Sequence, residues 1–115
     1  MTQALPFSKA RACGDLVFLS GEMPIPGDGP MAEGIEAQTA LTLDRIEATL
    51  RAQGLALDDV VSLTAYLVDP ADFPAFNRAY AARFAQPFPV RTTVRADLML
   101  PGARLELTVV ARARA

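Results

Sequence analysis

Leu16-Val17-Phe18-Leu19 and Leu105–Val110 leave little freedom for the architecture of this chain. Apart from Glu106 and Thr108, both runs are apolar on either face of any strand they form. A strand apolar on both sides is normally buried on both sides. Only two stretches read as helices, and two helices cover one face of a sheet and no more. The other face is too apolar for a lone chain and is expected to pack against further copies.

The remaining elements fall between strong punctuation. Ala10–Cys13 predicts a short strand, Gly14-Asp15 a turn, and Leu16–Ser20 a second strand closed by Gly21. Pro24, Pro26, Gly27, Gly29 and Pro30 make a loop that neither a helix nor a central strand absorbs. Ile35–Gln53 carries helical periodicity, with Thr39, Leu43, Ile46 and Leu50 inward, Glu47 one turn before Arg51, and Gly54 as the stop. Val60–Val68 alternates as a strand, with Val61, Leu63, Ala65 and Leu67 on one face. A second helix is expected after Asp72 as N-cap, with Phe73, Phe76, Tyr80 and Phe84 as its stripe and Pro87 and Pro89 beyond its end. Two extended segments follow, Val90–Ala96 and Arg104–Ala111, joined by a loop with Pro101 and Gly102 and read as a hairpin. The order β-β-α-β-α-β-β is an α+β arrangement: one mixed sheet with two helices on one face, in a single domain over residues 1–115.

Composition narrows the chemistry. The chain has no histidine, and Cys13 is its lone cysteine. That inventory excludes Ser-His-Asp triads, structural zinc sites and internal disulfides. No acidic cluster suggests a metal site, and no cofactor is expected. Net charge is −2 with scattered basic residues, which argues against nucleic acid as a partner. No apolar run reaches the length of a membrane span, and the start M-T-Q-A-L-P lacks the basic and apolar regions of a signal peptide, so a cytoplasmic protein is expected.

Arg91 and Glu106 stand out as charges in apolar surroundings. An arginine fork holds a carboxylate with two parallel hydrogen bonds, and a glutamate on a nearby strand orients a water or shuttles a proton. In the plainer reading, Arg91 is a surface residue of an edge strand and Glu106 faces solvent or pairs with Arg104 or Arg95. A hairpin whose paired numbers sum to about 199 places both on one face, with Thr93 opposite Glu106. An even sum separates them unless a bulge intervenes.

P-V-R-T-T-V followed by L-E-L resembles the signature of the RidA/YjgF family of reactive-intermediate deaminases. L-V-F-L-S-G-E-M-P, D-D-V-V-S-L-T-A-Y-L and D-F-P-A-F-N-R-A-Y support it in the same order, so the resemblance runs from Pro6 to Ala111. It implies a chorismate-mutase-like homotrimer with sheets facing inward and three interfacial pockets. It also implies cofactor-free hydrolysis of enamines and imines, such as 2-aminoacrylate, to 2-keto acids and ammonia. Carried onto this sequence, Arg91 binds the substrate carboxylate and Glu106 positions the water. Ser20, Gly21 and Asn77 complete the pocket, partly from the neighbouring chain. The family's best-studied branch has tyrosine where this chain has Phe7, read here as an aromatic lid, and commonly cysteine where it has Thr93; Asp97 replaces a small or basic residue. Asn77 is otherwise an outward-facing helix residue, Ser20-Gly21 a strand end, Tyr66 and Tyr80 packing residues, and Cys13 a small buried one. A trimer that binds a keto acid without turning it over is the alternative function. An RNA-cleaving role, also attached to relatives, is disfavoured by the charge balance.

Overall fold

A computed structural model describes residues 5–114. Residues 1–4, most of the start read above for a leader, lie outside them. The elements are β1 (Ala10–Cys13), β2 (Leu16–Leu19), α1 (Ile35–Ala52), β3 (Val60–Leu67), α2 (Phe73–Ala81), β4 (Val90–Arg95) and β5 (Leu105–Arg112). Short 3-10 turns, Leu57–Asp59 and Pro70–Asp72, lead into β3 and α2. The expected order therefore holds, and five strands form one mixed sheet.

Helix α1 buries Ile35, Gln38, Thr39, Thr42, Leu43, Ile46 and Leu50, a stripe at helical spacing that contains all four expected inward residues. Its end is set by Gly54. A positive φ of 75° there lets the Gly54 N–H reach the Arg51 carbonyl at 2.9 Å and the Leu55 N–H reach that of Leu50 at 2.8 Å. Against this stripe pack Leu63, Ala65, Leu105, Leu107 and Val109. Each leucine so enclosed contributes about 1.5–3 kcal/mol relative to exposure.

Asp72 occupies the N-cap position of α2, but its carboxylate makes no capping bond. It receives the Arg104 guanidinium instead, Nε to Oδ2 and Nη2 to Oδ1, both at 2.8 Å. That fork ties the start of α2 to the residue preceding β5, and it commits Arg104 away from Glu106. Phe84 lies past the end of α2 yet still stacks on Tyr80, ring centroids 4.6 Å apart.

The strand order is β1-β2-β5-β3-β4, with β3 and β4 parallel and the other pairs antiparallel. This corrects the expected hairpin: β4 and β5 do not pair, because β3 runs between them. The reason lies in the connection. β3, α2 and β4 make a βαβ unit whose parallel strands lie side by side under their helix, so β4 takes one edge of β3 and β5 the other. A bulge at Val61 shifts the register, so Val60 joins Leu63 on the covered face and Val61 is exposed, the reverse of simple alternation. Cys13 is also corrected. It is exposed, because β1 is an edge strand and pairs only with β2.

Both helices lie on one face. The opposite face presents Leu16, Phe18, Val90 and Val94 to the outside, Phe18 at 46% and Val90 at 71% exposure. No helix among the described residues is long and apolar enough to cross a membrane.

Candidate functional site

The register fixes where each candidate side chain emerges. Arg91 lies beside Leu63 of β3, which is 1% exposed and faces the helices. Glu106 lies beside Tyr66, three residues further along β3 and hence on the opposite face. Within one chain the two charges are on different sides of the sheet. The expectation that one face carries both is overturned, together with the hairpin register that it required.

On the covered side, at the outer edge strand β4, Arg91 sits in a group of aromatic rings from α2. Its guanidinium carbon is 4.9 Å from the Tyr80 ring centroid, 5.4 Å from Phe76 and 5.7 Å from Phe73. A cation over such faces gains about 0.5–2 kcal/mol, more as water is excluded. Arg91 also donates from Nη2 to the Asn77 Oδ1 at 2.8 Å, so Asn77 turns toward the arginine rather than outward. A shallow cavity lined by Asn77, Tyr80, Phe88 and Arg91 opens there. Thr93 follows Arg91 on the same face of β4, in an adjoining apolar depression with Leu67, Pro70 and Phe73. Burial raises the Tyr80 phenol above its ordinary range while Arg91 opposes the rise, and the hydroxyl has no hydrogen-bond partner among the described residues. Tyr80 is a core residue, as expected, and it is also the floor under Arg91.

The other candidates gather on the far side of β3. After β2 the chain runs along β5, where Glu22 and Leu107 exchange backbone hydrogen bonds at 2.8 and 2.9 Å. This brings Gly21 against Glu106. A Cβ on Gly21 would overlap the Glu106 Oε2 and lie 3.3 Å from the Thr108 hydroxyl, so the glycine makes room for a carboxylate of this chain itself. Ser20 donates its hydroxyl to the Ser8 carbonyl at 2.5 Å, and its N–H bonds to the Lys9 carbonyl at 3.0 Å. Those bonds hold the segment carrying Phe7 beside a cavity of about 490 Å³ lined by Phe7, Ser20, Gly21, Met23 and Ile25, among others.

Glu106 has no ion-pair partner among the described residues; Arg104 goes to Asp72. Its carboxyl is pushed above the ordinary glutamate range, first by burial and then by the negative charge of Glu22. Glu22 is itself 8% exposed and is paired with Arg45 of α1, Nε to Oε1 at 2.7 Å. This pair escaped the sequence reading. Its signal was a carboxylate between Gly21 and Met23, in a stretch with no other charge before Asp28. The rings beneath Arg91 were legible as a helical stripe, but not as a support for a cation.

The family model described as Endoribonuclease L-PSP matches residues 1–113. The chain belongs to the RidA/YjgF family. A RutC family protein of Saccharolobus solfataricus is 35% identical, over 93% of this chain and 86% of its own length. The 2-iminobutanoate/2-iminopropanoate deaminase of Salmonella typhimurium is 30% identical, over 92% and 86%. The crystal structure of a YjgF family member from Neisseria meningitidis superposes with a TM-score of 0.87 at 32% identity, covering 97% of this chain and 92% of that one. The RidA/YjgF fold thus accounts for the layout of both charge-bearing strands.

Proposed function

We propose that the chain hydrolyses 2-imino acids and their enamine tautomers to 2-keto acids and ammonia, at sites formed between copies of a homotrimer. One observation carries the reading. Arg91 and Glu106 emerge on opposite faces of one sheet, Arg91 lining one cavity and Glu106 against Gly21 at the wall of another, so a site that uses both draws them from different copies. The exposed apolar residues Phe18, Val90 and Val94 on the uncovered face supply a reason for copies to associate.

In this mechanism Arg91 clamps the substrate carboxylate as a fork and is itself held by Asn77 and the α2 rings. A water lies against Glu106 of the adjoining copy. Glu106 takes a proton from it as its oxygen bonds to the imine carbon, and passes that proton to the nitrogen, which has gained the C=N π pair. Glu106 then takes the hydroxyl proton of the resulting carbinolamine as the C–O bond closes to a carbonyl, and delivers it to the nitrogen, which leaves as ammonia. A carboxyl raised by burial holds a proton more readily than an ordinary glutamate, which suits giving it back as well as taking it. Imine hydrolysis is already fast in water, so positioning and one acid–base group suffice. The cellular setting we assign is the cytoplasm, where an exposed thiol such as Cys13 stays reduced.

A trimer that binds a keto acid without turnover is the competing reading. A Glu106 without an ion-pair partner among the described residues, its carboxyl raised by burial, favours catalysis, since a mere ligand contact needs no raised carboxyl. The test generates imino acids with an amino-acid oxidase and follows ammonia release with and without the protein. Acceleration by the native chain and none by Arg91→Ala is the expected outcome. Binding of keto acid without acceleration of any imine would leave the regulatory reading in its place.

A further inference from the structure

A buried ion pair lies just across β5 from the Glu106 carboxylate. Glu22 is 8% exposed, and Arg45 of α1 donates to it from Nε, 2.7 Å from Oε1. Taking two such charges out of water often costs more than filling the same space with apolar side chains, so stability is a weak reason for the pair. Its position suggests another. Glu22 and Leu107 exchange backbone hydrogen bonds, so their side chains leave on the same, helix-covered side of the sheet. Gly21 and Glu106, the residues that precede them, face the other side, with Gly21 against the Glu106 carboxylate. The two carboxylates therefore flank one strand. Backbone and packed side chains rather than water lie between them, and a charge is felt more strongly through such a medium than across solvent.

The other ionisable groups around Glu106 are accounted for. Arg104, two residues before it, is forked onto Asp72; Tyr66 stands beside it on β3; Lys9 lines the cavity at Gly21. Burial first, and the Glu22 charge second, hold the Glu106 carboxyl above its ordinary range. We propose that Glu22 is a positioning residue for the proton chemistry of Glu106, and that Arg45 governs it, so that this pair decides at what pH Glu106 gives up its proton. The inference rests on the deaminase reading above and adds a control to it. Glu22 touches no substrate in this role. It acts through Glu106 alone, and Arg45 acts by partly cancelling the Glu22 charge.

The experiment reads Glu106 directly and through turnover. Protein carrying ¹³C at its glutamate carboxyls is titrated with acid, the Glu106 signal being the one that Glu106→Gln removes. In Glu22→Gln, which keeps the shape and an oxygen for Arg45, the Glu106 midpoint is expected at lower pH than in the native chain. In Arg45→Met, Glu22 is left without its cation, the two carboxyls titrate as a coupled pair, and the upper midpoint is expected at higher pH. Glu22→Gln decides alone if Arg45→Met does not fold. The acid limb of kcat for imine hydrolysis should move the same way as the midpoint, because attack begins from ionised Glu106. An acid limb that stays in place while kcat falls alike at every pH is the mark of a merely structural pair. That result would overturn the proposal, as would an unmoved Glu106 midpoint in folded Glu22→Gln. Midpoints that move as expected, in a protein that turns over no imine, would keep the link between Glu22 and Glu106 and remove the deaminase reading.

Discussion

The surroundings of Arg91 and Glu106 handle a half-buried charge in opposite ways. Arg91 is given partners: three aromatic faces and the Asn77 oxygen hold the guanidinium without neutralising it. Glu106 is denied them, since burial and the nearby Glu22 both act against its ionised form. A cation kept charged and fixed is suited to hold an anion. A carboxyl kept close to protonation is suited to give and take a proton. In the proposed function these become a binding half and a proton-handling half of one sheet, and the register along β3 puts them on separate faces.

The sharpest way to break this comparison is to remove one half at a time. Arg91→Ala is expected to lower kcat/KM for carboxylate-bearing imines by about 10³-fold, since the truncation leaves the substrate anion unpaired. Glu106→Gln is expected to lower kcat by at least about 10²-fold while KM changes little. Mixing the two inactive variants after dissociation and reassembly should then restore activity to roughly a quarter of native, because some interfaces combine an intact Arg91 with an intact Glu106. No recovery from a verified mixed assembly would place both groups in a site within one chain.

A smaller effect concerns assembly. Phe18→Asp puts a charge on the uncovered face without touching the helix-packed core, and light scattering at micromolar concentration is expected to report a monomer for the variant and a trimer for the native chain. A native chain that is already monomeric at that concentration would remove the interfacial site altogether. The smallest expected effect is thermodynamic. Because the folded-state pKa of Glu106 is raised, its stabilising contribution is full below the ordinary glutamate range and is lost as pH rises through the raised value. Glutamine imitates the protonated carboxyl at every pH. Glu106→Gln should therefore melt at a higher temperature than the native chain at pH 8, with the difference closing by about pH 4. An equal difference at both pH values would show that ionisation of Glu106 is not what costs stability.

Much of this was legible in the sequence. The helical stripe of α1, its stop at Gly54 and the order of the elements follow from local periodicity and punctuation, which act within a few residues. Arg91 and Glu106 were also visible, as charges in apolar runs. What sequence could not convey was which strand lies between them. Pairing is a long-range choice, and a loop with Pro101 and Gly102 is equally compatible with a hairpin and with a crossing over β3. The Val61 bulge was hidden for a related reason, since Val60 and Val61 are interchangeable to any pattern of apolar residues. The Glu22–Arg45 pair joins residues distant in the chain, and neither position alone announces the other.

One consequence of the strand order concerns how the molecule opens. From Ser62 to Leu67, β3 pairs with β4 on one side and β5 on the other, so the binding and proton-handling strands share a single backbone neighbour. Fraying at the edge strand β4 can loosen Arg91, but β5 is held between β2 and β3, so separating both strands from the sheet requires the loss of β3 itself. Its amides are expected to exchange with solvent only on global unfolding, which native-state hydrogen exchange would read. The geometry relating the Arg91 and Glu106 strands within one chain is therefore as durable as the native state.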